Sequence, residues 1–240
     1  LINNNVNLLE KNRQVYDSLW DGAWLLEAHH YNTWPLVNSL LSQHSRRLEV
    51  APGLRPRLPI DNTHFVDISF AALDTLKQNG GKTSIASICN LPFENNSFDL
   101  ICALDIIEHV EDDEAAISEL SRVAADETTL LLSTPLHEKW WTPFDDFVGH
   151  YRRYEPSHLI KLLKDNGFEV QKSAIFGMKP KSSRITDIGM WFLKNDSKRA
   201  MWWYNRIFPY VARRQKPLDL MDGLPNMNDI GEIFLVCKKC

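Results

Sequence analysis

Ser97-Phe-Asp-Leu-Ile-Cys-Ala-Leu-Asp-Ile-Ile-Glu-His-Val110 decides the reading of this 240-residue chain. Its first half, Phe98 to Leu104, is nearly all apolar, as a strand covered on both faces must be. Its second half turns polar where such a strand should end. Upstream lie three shorter strand patterns: Arg47-Leu-Glu-Val50, Thr63-His-Phe-Val-Asp-Ile68 and Ser84-Ile-Ala-Ser-Ile88. Ser69 is placed to cap a helix from Phe70 that stops at Gly80-Gly81. Downstream, residues 114–123 form an amphipathic helical pattern and residues 129–133 a fifth strand. Residues 156–167 carry proline early and glycine last, as a helix does, and residues 168–176 and 230–236 read as the last two strands. Strands alternating with helices imply a parallel sheet with helices on both faces.

The flanks read differently. Residues 5–45 show helical spacing through Val6, Leu9, Val15 and Leu19, then Leu36, Val37, Leu40 and Leu41, with Pro35 opening a second helix. Residues 177–228 interrupt the last two strands as an insertion. The expected organisation is one domain over residues 1–240: a helical cap at 1–45, a core at 46–176, the insertion, and a final strand at 229–240.

A net charge of −4 argues against a broad nucleic-acid grip, and no nucleic-acid partner is expected. No apolar run reaches 18 residues, and no charged segment followed by an apolar one opens the chain, so a cytoplasmic protein is expected. Cys89 and Cys102 read as core residues. Cys237 and Cys240 have CxxC spacing without the second pair that zinc would need, so no metal site is expected.

In open α/β sheets, ligands lie at the carboxyl ends of the strands. The first strand is followed by a turn in which Gly53 lets backbone N–H groups approach a ligand. The second ends on Asp67, an acceptor for ribose hydroxyls. The third runs into Ser87-Ile-Cys-Asn-Leu-Pro-Phe93, and the fourth into Leu104-Asp105.

Leu91-Pro-Phe93, Ser97-Phe-Asp-Leu100, Ile107-Glu-His-Val110 and Val66-Asp-Ile-Ser69 with Ala72-Leu73 together resemble class I S-adenosylmethionine-dependent methyltransferases, especially the ubiquinone-biosynthesis type and its small-molecule relatives. The likeness spans residues 47–176. It implies a Rossmann-like seven-stranded sheet of order 3-2-1-4-5-7-6, with the seventh strand antiparallel. It further implies that Glu49, Ala51, Pro52 and Gly53 lie beside the methionine part of S-adenosylmethionine. By the same likeness Asp67 holds the ribose, Ile68 packs on adenine, Ser87, Ile88 and Cys89 meet the adenine edge, and Leu104 and Asp105 approach the sulfonium. Asp67→Ala is then expected to weaken cofactor binding and spare the fold.

The family's first motif carries three glycines; here the run is Glu49-Val-Ala-Pro-Gly-Leu-Arg55, with two of them replaced. The link to Asp67 is short and holds Pro52, Pro56 and Pro59, so the first crossover helix should be missing or shortened. Arg55 and Arg57 read as solvated loop arginines, with a cation for the cofactor carboxylate as the other reading.

Methyl transfer to a hydroxyl is helped by a base, and His109 and His150 are the candidates. The resemblance places Phe147-Val-Gly-His-Tyr-Arg-Arg-Tyr154 over the acceptor, making Tyr151, Arg153 and Tyr154 substrate candidates, with Tyr31, Trp34 and Trp140 as lid residues. Residues 198–216 hold six cations, no acids and many aromatics. They read as a helical cap that Pro209 should break, or as a peripheral membrane contact. The activity expected is O- or N-methylation of a small-molecule, lipid-linked or sugar-linked acceptor. The altered glycine motif leaves a non-catalytic binding module as the alternative, and the missing G-x-G-x-x-G speaks against a nicotinamide-dependent oxidoreductase.

Overall fold

A computed structural model describes residues 17, 20, 23–176, 189, 191, 192 and 195–240. The helical pattern of Val6, Leu9, Val15 and Leu19 and most of residues 177–194 lie outside the described residues. Among the described residues one sheet contains β1 (Arg47–Val50), β2 (Thr63–Asp67), β3 (Lys82–Ile85), β4 (Phe98–Leu104), β5 (Ala124–Pro135), β6 (Phe168–Ile175), β7 (Met221–Asp222) and β8 (Glu232–Lys239). The order is β3-β2-β1-β4-β5-β8-β6-β7. β1 to β5 run parallel, and β8 is antiparallel to both β5 and β6.

The sheet therefore has eight strands, where seven were expected. The extra one is β7, whose Met221 and Asp222 pair antiparallel with Ser173 and Lys172 at the sheet edge. Two residues leave too weak a period-two pattern to be read from sequence. β3 also stops at Ile85 instead of Ile88, which frees residues 86–88 to turn across the end of the sheet.

Among the described residues, the α-helices with defined bounds are α1 (Trp34–Leu40), α2 (Phe70–Gln78), α3 (Asp113–Val123), α4 (Pro143–Val148), α5 (Pro156–Asp165) and α6 (Ser197–Ala212). Ser69 caps α2 by accepting from the Ala72 amide, and Asp112 caps α3 by accepting from Ala115. Pro209 does not end α6, which continues to Ala212. No helix among the described residues is long and apolar enough to cross a membrane.

β4 shows why both faces must be covered. Ile101 and Ala103 pack with Ile117 and Leu120 of α3 and Leu159 and Leu163 of α5, while Leu100 and Cys102 face the opposite cluster with Val37 of α1, Leu58 and Phe234. That second face carries no crossover helix between β1 and β2. Residues 51–62 form turns alone, as their prolines predict, and Leu58 with α1 closes the core instead.

A buried carboxylate anchors this helix-free link. Glu49, 3% exposed, accepts hydrogen bonds from the backbone amides of Arg57 at 2.8 Å and Leu58 at 2.9 Å. These amides would otherwise be buried without partners. Burial holds the Glu49 carboxyl up at about 7 against an ordinary 4.5, although the two amides pull it down.

The folded chain thus binds this proton more tightly than the unfolded chain does. The associated stability is complete below pH 4.5 and is lost as pH rises to about 7. Glu49→Ala should destabilise the protein by ~3 kcal/mol near pH 5 through two orphaned amides and a cavity. In denaturant unfolding that cost should shrink by ~2 kcal/mol at pH 8.

Candidate active site

The carboxyl ends of the first four strands open into one cleft. Gly53 after β1, Asp67 and Ile68 after β2, Ser87 and Ile88 after β3, and Asp105 after β4 all line it. His109 forms the wall beside Asp105. This is the topological switch point, where β1 sits between β2 and β4 and successive connections diverge.

Two backbone turns shape the cleft floor. Ala51 has φ 55°, Gly53 φ 52° and Asp105 φ 50°, all in the left-handed region. Gly53 is at home there; Ala51 occupies a glycine's place in the resembled motif and holds the glycine conformation, held by its amide bond to the Val66 carbonyl at 2.7 Å. Asp67 fixes the turn from the other side. Its Oδ2 accepts from the Gly53 amide at 3.0 Å and its Oδ1 from the Ser69 amide at 2.9 Å. Burial raises its carboxyl, opposed by those amide bonds. Asp67 is therefore a structural brace as well as a cleft residue, so its removal costs stability too.

The other residues expected at the cofactor are placed differently. The Glu49 carboxylate is taken by the loop amides and is not part of the cleft wall. Pro52 is buried, Leu104 packs on the sheet's second face, and the Cys89 thiol points to the Asp112 carbonyl at 3.5 Å. Cys89 contributes through its amide, which bonds the Ser87 hydroxyl at 3.2 Å and so orients Ser87.

Beyond the cleft floor lies a polar cluster. Asp105 accepts from the Ser133 hydroxyl at 2.7 Å. Glu108 is fully buried; its Oε2 accepts from Thr134 at 3.2 Å, and its Oε1 has no hydrogen-bond partner. Burial, then the Asp105 charge, raise the Glu108 carboxyl well above the ordinary range. His109 and His150 meet edge to face with ring centroids 4.5 Å apart. Burial, helped by His150, pushes His109 down to about 3, against hydrogen bonds to Gly149 and Val148.

His150 Nδ1 lies 2.8 Å from Asp145 Oδ1. Arg153 grips the same carboxylate with Nε at 2.8 Å and Nη2 at 3.1 Å, and the Thr142 amide and hydroxyl complete the cage at 2.7 Å each. Burial alone would raise Asp145, but the bonds from His150, Arg153 and Thr142 prevail and hold it far below the usual carboxylate range.

The six residues expected to bind the acceptor do not gather in the cleft wall. Tyr154 is core, its hydroxyl 2.9 Å from Asp113 Oδ2 and 3.2 Å from the Ile107 carbonyl. Arg153 is committed to Asp145. The Tyr151 amide donates to the Glu108 carbonyl at 2.7 Å, so this residue ties the His150 loop to the Glu108 turn. Trp34 packs on the sheet's second face, and Trp140 sits against His137, centroids 4.6 Å apart. Tyr31 is buried with Leu26, Phe208 and Ala212, its ring under the Arg57 guanidinium at 3.7 Å.

Three contributors were not expected from sequence. Trp20 lines the cleft and lies so close over Gly53 that a Cβ there would come within 2.1 Å of the indole. Asp17 accepts from the Ser69 hydroxyl at 2.6 Å, one helical turn before Trp20. Arg55 is buried rather than solvated: Nη1 donates to the Trp24 carbonyl at 2.6 Å and Nη2 to Asn205 Oδ1 at 3.1 Å, with Phe208 and Trp20 against its face. It bolts the helix-free link to α6. Isolated in sequence, these side chains carry no pattern that assigns them to a cleft.

Residues 50–132 match the family model described as a methyltransferase domain. Among solved structures, a Thermotoga maritima protein described as a SAM-dependent methyltransferase, possible histamine N-methyltransferase, is 17% identical. It covers 90% of this chain and 93% of its own at a TM-score of 0.57. The [4+2]-cyclase SpnF is 14% identical, covering 95% and 94% at 0.55. A Haemonchus contortus phosphoethanolamine N-methyltransferase 2, in complex with phosphomonomethylethanolamine and S-adenosylhomocysteine, is 18% identical, covering 86% of this chain and 53% of its own at 0.53. No curated protein sequence matches the chain. At these identities the structural likeness is one of fold: the chain shares a Rossmann-like α/β sheet with these proteins, and residues 50–132 carry the match to the methyltransferase-domain model.

Ala51→Gly removes the strain of a Cβ at positive φ without disturbing a contact the turn needs. It should stabilise the protein by ~1 kcal/mol in equilibrium unfolding.

Proposed function

We propose that the protein is an S-adenosylmethionine-dependent methyltransferase acting on a small-molecule, lipid-linked or sugar-linked acceptor at oxygen or nitrogen. The convergence of Gly53, Asp67, Ile68, Ser87, Ile88 and Asp105 on one cleft carries this reading, and the match of residues 50–132 to a methyltransferase domain supports it. So do the small acceptors, histamine and phosphomonomethylethanolamine, in the names of proteins sharing the fold.

The residues present fit the cofactor. Asp67 Oδ2 accepts the Gly53 amide and Oδ1 the Ser69 amide, and a carboxylate with about four acceptor sites retains capacity for a ribose hydroxyl. Ile68 and Ile88 offer apolar walls for adenine, Ser87 a hydroxyl at its edge, and the 51–53 turn its backbone for the methionine end. When bound, S-adenosylmethionine supplies a sulfonium methyl that is already electrophilic. The chain's own tasks are to hold the acceptor in line at about 3–3.5 Å, exclude water and receive a proton.

Of the two histidines, His150 is the one assigned as base: its Nδ1 lies 2.8 Å from Asp145, which orients the ring and leaves Nε2 for a proton. His109, held near 3, is a weak base at neutral pH and acts as the wall that positions the acceptor.

Trp20 closes the site. The cleft encloses about 100 Å³ with the indole in place, below the ~300 Å³ at which small-molecule pockets begin. The indole must swing out as cofactor enters. For the acceptor, α6 exposes Trp202, Trp203, Ile207 and Tyr210 beside Arg206, Arg213 and Arg214, with no acid in residues 198–216. Such a helix suits an anionic lipid surface, and we place a peripheral membrane contact and lipid-linked acceptor there.

Calorimetry with S-adenosylhomocysteine should give one site per chain, and Asp67→Ala should weaken it at least ~10-fold while costing ~2 kcal/mol of stability. No heat at millimolar ligand overturns the proposal; binding without methyl transfer to any acceptor leaves the non-catalytic module. The same titration should change tryptophan fluorescence, and Trp20→Phe should abolish most of that change. A response unaltered in Trp20→Phe contradicts the lid.

A further inference from the structure

We infer that Glu108, His109 and His150 form a binding site for a divalent transition-metal ion, with zinc the best fit. The sequence offers no such set, because His150 lies 41 positions beyond His109. The fold brings one donor atom from each residue within 4.8 Å of the others.

Each donor is held as a ligand should be. His150 has Nδ1 engaged by the Asp145 carboxylate at 2.8 Å, which turns Nε2 toward Glu108 Oε1 at 3.9 Å. A ligating imidazole typically donates its other N–H to a carboxylate or backbone carbonyl, which sets tautomer and ring orientation. His109 is held by backbone hydrogen bonds to Gly149 and Val148. Asp145 is itself immobilised by Arg153 and the Thr142 cap. The Tyr151 amide on the Glu108 carbonyl at 2.7 Å locks the two ligand-bearing segments together.

Glu108 Oε1 is the independent observation. It is a carboxylate oxygen of a fully buried residue, without a hydrogen-bond partner, facing an imidazole nitrogen too distant to bond. An unsatisfied buried carboxylate is costly unless something cationic completes it. Two neutral imidazoles and one carboxylate leave a divalent ion with a net charge near +1 and an open coordination position, the pattern of catalytic zinc and of facial-triad sites. Bonds of about 2.1 Å put ligand atoms ~3.4 Å apart, so the donors must draw in by roughly an ångström, within the reach of side-chain rotation.

The consequence for chemistry rests on the proposed methyl transfer. His109 belongs both to this cluster and to the cleft wall. An ion there would take an oxygen of the acceptor and lower its proton affinity, doing the base's work while His150 Nε2 is engaged. The favoured acceptor is then a chelating oxygen compound, such as a vicinal diol or catechol, and O-methylation is favoured over N-methylation.

The test uses the intact chain, stripped with a chelator. It is titrated with Zn²⁺ by calorimetry and with Co²⁺ by visible absorption, and S-adenosylhomocysteine is titrated separately. We expect one Zn²⁺ per chain at a Kd below ~1 μM and Co²⁺ bands of a nitrogen- and oxygen-ligated ion. Asp145→Asn should weaken Zn²⁺ about 10-fold, and Glu108→Gln and His150→Ala by more than the ~100-fold upper range for an outer partner. Glu108→Gln preserves shape, and circular dichroism verifies the fold of each variant. The wild-type titration stands even if a variant does not fold.

Absence of stoichiometric Zn²⁺ binding by the wild type overturns the inference. So does binding that Glu108→Gln and His150→Ala both retain, which would move the ion to exposed groups such as His29 or Cys240. Metal binding without S-adenosylhomocysteine binding would keep this site and reject the proposed function; the reverse would do the opposite.

Discussion

Two buried carboxylates hold the first strand connection, and the cleft depends on them. Glu49 takes the amides of Arg57 and Leu58, and Asp67 takes those of Gly53 and Ser69. A crossover between parallel strands normally contains a helix, which satisfies its own backbone. Here twelve residues, 51–62, make the crossing with turns alone. Their buried amides need acceptors from elsewhere, and acidic residues of β1 and β2 supply them. Bonds to an acidic acceptor are among the stronger ones available, and they offset part of the desolvation, which still prevails and raises both carboxyls.

Loss of the helix has structural consequences. The sheet's second face would be bare without Leu58 and α1. The loop would lack an outer support without Arg55, whose guanidinium joins it to α6. No helix begins at the end of β1, so the anion site that a helix N-terminus offers is absent there. The turn at Ala51 and Gly53 still presents its backbone to the cleft, now beneath Trp20. Under the proposed function, cofactor entry would require the indole to move, because it covers the turn assigned to the methionine end.

The fold was largely legible because its strands are continuous apolar runs and its helices carry caps and periodicity. Phe98 to Leu104 is the clearest case, since alternate residues fill two separate clusters. The missing helix was legible from three prolines. β7 was not, because two residues hold no pattern. At the site, residues tied to strand ends arrived where spacing puts them: Gly53, Asp67, Ile68, Ser87, Ile88 and Asp105 share one cleft.

The acceptor side was poorly legible, since it depends on tertiary partners. Arg153 and Tyr154 look like pocket residues in sequence, yet Asp145 and Asp113 hold them as braces. Trp20, Arg55 and Glu108 owe their roles to neighbours 33, 150 and 42 positions away, at Gly53, Asn205 and His150. No local pattern encodes such pairings.

The central claim is that the ends of β1 to β4 form a single nucleoside site. A crystal structure grown with S-adenosylhomocysteine tests it most directly. The account predicts ribose oxygens within hydrogen-bonding distance of Asp67, adenine between Ile68 and Ile88, sulfur toward Asp105, and Trp20 displaced from Gly53. Density for the ligand elsewhere, with Trp20 still seated on Gly53, would contradict it.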